Sequence, residues 1–296
     1  MIRIETVDYS PFEKHLAQPR PCLICGGGDK EEWARVGVFR AVRCRACGLV
    51  WVDPFLTEAG FNLYYTDYIK FRLSDAKKME QRGRMYEIDR AYLEQFVDRG
   101  DLLDVGCSAG FFLEKLSDRF TKNGLEKDPA AVALARERNP RLAERIQNRE
   151  LGQDGFAPAS FDVVTMRGVI EHLPDPRAAV KRVAELLRPG GRFYITATPD
   201  VSSYSADLYR EKWNQFDPIQ HIYYFSVDTL SRLCASVGLK LVFQAHPYLE
   251  TPYASPAKDH ETVLRDADLI RQGRRDEVAR SPAFWGNMMT VLFQKA

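Results

Sequence analysis

The sequence predicts a doubly wound α/β fold carrying a small four-cysteine metal module at its N-terminal end. Three observations carry that expectation. A short apolar strand, Asp101-Leu-Leu-Asp104-Val, runs into a glycine loop and then into a helical pattern. An acidic residue, Glu126, follows Gly106 by 20 positions, the offset at which doubly wound folds set a carboxylate against ligand hydroxyls. Two Cys-x-x-Cys-Gly knuckles, Cys22 to Cys25 and Cys44 to Cys47, stand eighteen residues apart, within the spacing of a four-cysteine zinc ribbon.

The bulk properties permit this architecture and exclude others. At 296 residues the chain is long enough for one main domain and an appendage. Its 45% hydrophobic and 28% charged content is ordinary globular usage, which argues against disorder. Lys and Arg total 42 against 41 Asp and Glu, so net charge gives no reason to expect a nucleic-acid partner. The opening MIRIETVDYS has no apolar signal segment and no later stretch approaches about 18 consecutive apolar residues, so the expectation is a cytoplasmic protein without a membrane partner.

In chain order, residues 1–54 read as the segment bearing the cysteine module. In a reducing compartment, paired Cys-x-x-Cys motifs point to metal ligands before disulfides. Cys22, Cys25, Cys44 and Cys47 supply four thiolates; such a closed set leaves no position for a substrate, so zinc here is expected to be structural. Redox motifs of this type occur singly beside a βαβ unit rather than as a matched pair. Residues 55–99 read as a helical linker or cover, with Met85, Ile88, Tyr92 and Phe96 at helical steps and Gly100 as the stop. The aromatic cluster Tyr64, Tyr65, Tyr68 and Phe71 before it reads either as core or as a cover over a ligand.

Residues 100–296 read as the main domain. After the first strand, Phe112, Leu113, Leu116 and Phe120 mark one apolar helix face. A second strand from Thr121 ends at Glu126, and the next helix opens with Asp128 as N-cap and Pro129 in its first turn. The loop Asp104-Val-Gly106-Cys-Ser-Ala-Gly110 lacks the middle glycine of a dinucleotide fingerprint, the one that admits a pyrophosphate. Cys107 and Cys234 are adequately explained as core.

The D-x-G-x-x-x-G loop resembles motif I of class I S-adenosylmethionine-dependent methyltransferases, and other segments extend the resemblance in order. Phe161-Asp-Val-Val-Thr-Met-Arg-Gly-Val-Ile-Glu171-His172-Leu-Pro-Asp-Pro resembles that family's fourth strand and loop. Leu187-Arg-Pro-Gly-Gly191 resembles its turn into strand five, after a helix with the apolar stripe Ala179, Val180, Val183, Leu187. Gln220-His221-Ile-Tyr-Tyr-Phe-Ser226 leads into a helix, and strands at Leu239 to Gln244 and Met288 to Gln294 complete what resembles a seven-stranded Rossmann-like sheet with an antiparallel last strand. The cysteine pair followed by Gly48-Leu-Val-Trp-Val-Asp-Pro54 resembles a zinc-ribbon-bearing subgroup. Residues 249–285 have no counterpart and read as an insertion, a charged helix placed as a lid.

The resemblance implies S-adenosylmethionine as cofactor, with Asp104, Gly106 and Gly110 at its methionine end and Glu126 on its ribose. Where the family offers an acidic residue near the adenine, this chain has Gln147-Asn-Arg-Glu150, a departure. Of the five histidines, His221 and His172 sit in family-like motifs at strand ends, where doubly wound folds place ligands, so His221 is expected as base or acceptor-orienting group with His172 nearby. Glu171-His172 resembles part of the metal-binding E-x-x-E-H of ubiquinone-type O-methyltransferases, but Gly168 stands at the first glutamate, so no catalytic magnesium is expected. The implied reaction is methyl transfer to a small-molecule substrate, a sugar, glycan or specialised-metabolite intermediate, at oxygen or nitrogen before carbon. Two alternatives stay open: an rRNA methyltransferase whose ribbon reads RNA, and a non-catalytic cofactor-binding scaffold.

Overall fold

The computed structural model describes residues 8–65 and 76–296. Tyr68 and Phe71 of the aromatic cluster lie outside the described residues. The chain begins with β1 (Lys30–Val36), β2 (Phe39–Cys44) and β3 (Val50–Val52), then α1 (Glu58–Tyr65) and α2 (Ala76–Glu94). Alternation follows: β4 (Gly100–Val105), α3 (Phe111–Lys115), β5 (Phe120–Glu126), α4 (Pro129–Arg138), β6 (Ile146–Asn148), β7 (Phe161–Arg167), α5 (Pro176–Leu186) and β8 (Leu187–Pro199). It ends with α6 (Tyr204–Tyr209), β9 (Tyr223–Tyr224), α7 (Val227–Ala235), β10 (Leu239–Ala245), α8 (Pro256–Arg271) and β11 (Met288–Lys295).

The main sheet has seven strands in the order β10-β11-β8-β7-β4-β5-β6. Strand β11 runs antiparallel to β8 and β10, while β4, β5, β6, β7 and β8 are mutually parallel. The chain leaves β4 toward β5 and β6, then returns to lay β7 and β8 on its other side. The reversal puts a crevice at the carboxyl ends of β4 and β7, where open α/β sheets bind ligands. This is the expected seven-stranded arrangement.

Local chemistry sets the element boundaries. Asp128 accepts from the backbone of Ala130 and Ala131 to cap α4, and Asp175 accepts from Ala178 to cap α5. Three boundaries differ from the sequence reading. Helix α3 stops at Lys115, and Phe120 instead opens β5, because the Ser117 to Arg119 turn intervenes. Leu187 begins β8 rather than closing the preceding helix. Helix α2 ends at Glu94, and its buried positions are Tyr86, Asp89 and Leu93 rather than the Met85 stripe. The shift follows from Asp89, a carboxylate that an apolar criterion skips but that is fully buried in an ion pair with Arg167.

The N-terminal strands do not stand alone. β1, β2 and β3 form an antiparallel sheet whose fourth strand is β9, with Val50 opposite Tyr224 and Trp51 opposite Tyr223. Trp33 packs edge-on against Trp213 and Phe216, so one apolar core runs from the module into the main domain. The segment 249–285 is anchored as well. Val263, Asp266 and Ala267 of α8 are buried, Tyr209 donates to Asp266 at 2.7 Å, and Tyr92 donates to Glu250 at 3.2 Å. Among the described residues, no helix is long and apolar enough to cross a membrane.

Candidate active site and four-cysteine cluster

The glycine loop after β4 is built by backbone geometry. Gly106 and Gly110 have φ of +71° and +75°, a region that costs other residues about 1–2 kcal/mol. A β-carbon on Gly106 would lie 2.7 Å from Val169 Cγ2, and one on Gly110 would lie 2.5 Å from Asn139 Nδ2. The first approach brings the loop after β4 against the loop after β7. Ser108 N–H donates to Glu126 Oε2 at 3.0 Å and Asp128 N–H donates to Oε1 at 2.9 Å. Each oxygen keeps a further lone pair for a hydroxyl donor, so a held carboxylate beside an open glycine cradle fits an adenosyl ligand.

Asp104 lies beneath this cradle. It is 1% exposed and accepts from Thr165 Oγ1 at 2.7 Å. Burial pushes its carboxyl up to about 7 despite that hydrogen bond. At the departure after β6, Asn148 donates to the carbonyls of Glu126 and Lys127 and braces the turn carrying Glu126.

On the other side of the crevice, His172 and His221 come together. Their ring centroids are 4.8 Å apart, and Glu171 joins them, with the ligating atoms of all three within 4.8 Å of one another. His172 Nδ1 is 2.8 Å from Gln220 O and His221 Nδ1 is 3.0 Å from Gln215 O. A carbonyl can only accept, so each Nδ1 carries the proton and each lone pair sits on Nε2. Burial lowers the His221 pKa, keeping its ring neutral. Glu171 is 1% exposed, accepts from Thr198 Oγ1 at 3.2 Å, and is pushed by burial up to about 7. The trio has the donor set for proton transfer and also for a divalent cation, through the two histidine Nε2 atoms and one carboxylate.

Two residues of this crevice escaped the sequence reading. Arg167, at the carboxyl end of β7, donates Nε to Asp89 Oδ2 at 2.6 Å and stacks 4.3 Å over the Tyr86 ring. Asp89 also accepts from Thr196 Oγ1 at 2.7 Å. The signal was present: Arg167 ends the apolar run Phe161-Asp-Val-Val-Thr-Met, and a charge there must find a partner. His246 is elsewhere, paired with Asp200 at 2.7 Å past the end of β10. Cys107 and Cys234 are buried thiols.

In the N-terminal sheet, Gly26 and Gly48 take φ of +72° and +79° and turn each knuckle, with their N–H groups donating to Cys22 O and Cys44 O at 2.9 Å. The four Sγ atoms lie within 4.8 Å of one another, Cys22 to Cys47 at 3.3 Å and Cys25 to Cys44 at 3.5 Å. Sulfurs bound tetrahedrally to zinc are about 3.8 Å apart, so the donor set fits that ion. The Gly27 N–H holds the Cys25 thiol down at about 7, favouring the thiolate a metal needs.

Residues 78–244 match a family described as a methyltransferase domain, more than half of the 296-residue chain. The chain belongs to this family. A stretch of 108 residues is 35% identical to a ubiquinone biosynthesis O-methyltransferase of Idiomarina loihiensis, covering 35% of this chain and 44% of that protein. The chain spans about half the length of the curated relatives it matches, from 44% to 64% for the first three. An S-adenosylmethionine-dependent methyltransferase from Thermotoga maritima superposes with a TM-score of 0.52 at 15% identity, covering 78% of this chain and all of that one. A 1,6-didemethyltoxoflavin-N1-methyltransferase from Burkholderia thailandensis, with S-adenosylhomocysteine bound, superposes with a TM-score of 0.51 at 16% identity, covering 87% of this chain and 96% of that one. At such identities these two show the fold.

Proposed function

We propose that this protein transfers the methyl group of S-adenosylmethionine to a hydroxyl of a small-molecule acceptor. The observation that carries the reading is the close approach of Gly106, in the glycine cradle with Glu126, to Val169, in the loop that continues into Glu171 and His172 beside His221. Gly106 and Gly110 would admit the methionine end of the cofactor, with Asp104 supporting the loop from below, and Glu126 would hold the ribose. The cofactor supplies an electrophilic methyl on a sulfonium whose departure needs no protonation, so the chain's task is to orient the acceptor and take its proton. His221 Nε2 would accept that proton from the acceptor hydroxyl as the oxygen takes the methyl group. His172 and Glu171 position the ring and the acceptor hydroxyl.

Oxygen is favoured over nitrogen because the curated sequence relatives are ubiquinone biosynthesis O-methyltransferases. A sugar, glycan or specialised-metabolite acceptor rests on the sequence resemblance of the N-terminal module alone. That module would hold structural zinc, and the insertion at 249–285 would roof the acceptor side. Production of S-adenosylhomocysteine with a panel of hydroxylated acceptors tests the reading: turnover abolished by His221→Asn supports it, and unchanged turnover refutes the base assignment. Any turnover also disposes of the scaffold alternative, and retention on an rRNA column at low salt would favour the RNA one.

A second reading is favoured by the spacing of the trio. Glu171, His172 and His221 would hold a divalent cation that orients the acceptor, with His221 standing in for the glutamate absent at Gly168. Metal analysis separates the two readings: wild type would carry one equivalent more than His221→Asn.

A further inference from the structure

The guanidinium of Arg167 is a donor left open toward the crevice. Among the described residues, its Nε contact with Asp89 is its one hydrogen bond, and Tyr86 covers one face. Among the described residues neither terminal nitrogen has an acceptor, and the side chain keeps 13% exposure. Asp89 is itself fixed, accepting from Thr196 on β8, and Tyr194 donates to the Asp89 carbonyl at 2.8 Å. The fork is therefore held rigid from behind, with its outer edge unoccupied.

By chain position that edge belongs with the side assigned above to the acceptor. Arg167 ends β7 and is linked through Asp89 to β8, whereas the glycine loop and Glu126 end β4 and β5. Tyr253 of the insertion lies within electrostatic reach of Arg167, Arg82 and Tyr86, so two cations and two phenol rings border the same space. The neighbouring acids Asp104 and Glu171 also act on Arg167 electrostatically, but each has its own hydroxyl donor, Thr165 and Thr198. A planar guanidinium with two parallel N–H groups free matches a carboxylate in the bidentate manner.

We propose that Arg167 recognises a carboxylate on the acceptor, so the enzyme methylates an anionic substrate whose acid group docks beside Tyr86 and Tyr253. The proposal rests on the methyltransferase reading only for which side of the crevice takes the acceptor. It extends that reading from a hydroxylated small molecule to an acidic one.

The test uses benzoate and its neutral isostere benzamide, titrated by NMR into protein saturated with S-adenosylhomocysteine. Benzoate is expected to bind at least about tenfold more tightly, the scale of a charge-assisted pair. Because Arg167→Met alone would strand Asp89, the variant is Arg167→Met with Asp89→Asn, which removes both charges together. In it the preference for benzoate should vanish while affinity for S-adenosylhomocysteine stays within twofold. Equal binding of the two probes by wild type overturns the proposal, as does a preference that survives in the double variant. A parallel loss of S-adenosylhomocysteine affinity would overturn it too, assigning the guanidinium to the cofactor's own carboxylate. If S-adenosylhomocysteine does not bind wild type at all, the methyltransferase reading fails. The benzoate comparison repeated without it still reads the anion site.

Discussion

The two sides of the crevice are made differently. The side at β4 and β5 is mostly backbone: two left-handed glycines, a loop whose Ser108 N–H holds Glu126, and an asparagine bracing the turn. The side at β7 and β8 is made of buried side chains from distant segments, with Asp89, Arg167, Glu171, Thr198 and His221 drawn together. A backbone cradle suits a ligand common to many enzymes. A side-chain wall can be changed residue by residue to fit one acceptor. If this division holds, variants on one side should leave the other side's ligand untouched.

The largest expected effect is on the acceptor side. His221→Asn should lower turnover by about 100-fold or more while S-adenosylhomocysteine affinity, measured by calorimetry, stays within twofold. Equal losses in both would erase the division.

Next is the cysteine module, whose β3 pairs with β9 two residues after His221. Cys47→Ser should lose the bound zinc by metal analysis, lower the melting temperature by several degrees and cut turnover about tenfold. Cofactor affinity should survive. An unchanged zinc content would remove the metal from the account.

On the cofactor side, Glu126→Ala should weaken S-adenosylhomocysteine about tenfold, the worth of a charged hydrogen bond to a hydroxyl. The pH dependence of acceptor-side proton transfer should not move. A shifted pH profile would mean that the two sides are electrically coupled.

The smallest effect concerns Asp104. Its carboxyl ionises near 3.8 in the unfolded chain and about 7 in the folded one. The native state therefore holds the proton more tightly, and the stability this contributes is present below about 4 and lost as pH rises toward 7. Asp104→Asn keeps an acceptor for Thr165 without a charge to bury. Melting curves should favour the variant increasingly as pH rises across that window, and a constant difference would contradict the burial argument.

The same division explains what could be read from the sequence. Backbone demands leave local signatures. Gly106, Gly110, Glu126 and the two knuckle glycines stand at fixed short offsets, and β4 and β5 follow from apolar runs and the cap at Asp128, whereas the seven-stranded sheet as a whole was implied by the family resemblance. His172 and His221 were legible as residues of family-like motifs. Their partnership with Glu171 needed the fold, because 49 positions separate the histidines. Asp89 and Arg167 were missed because each, taken alone, is a charge on an otherwise ordinary element, and only tertiary pairing makes burial affordable. The pairing of β3 with β9 was invisible for a related reason: a two-residue strand carries no period.

The most direct test of the central claim is calorimetric titration of S-adenosylhomocysteine into the wild-type protein and into Gly106→Val. A β-carbon at Gly106 would lie 2.7 Å from Val169, so the account predicts one saturable site in the wild type and loss of binding in a variant that keeps its zinc and its secondary structure. Absence of binding by the wild type, or equal binding by both proteins, would contradict it.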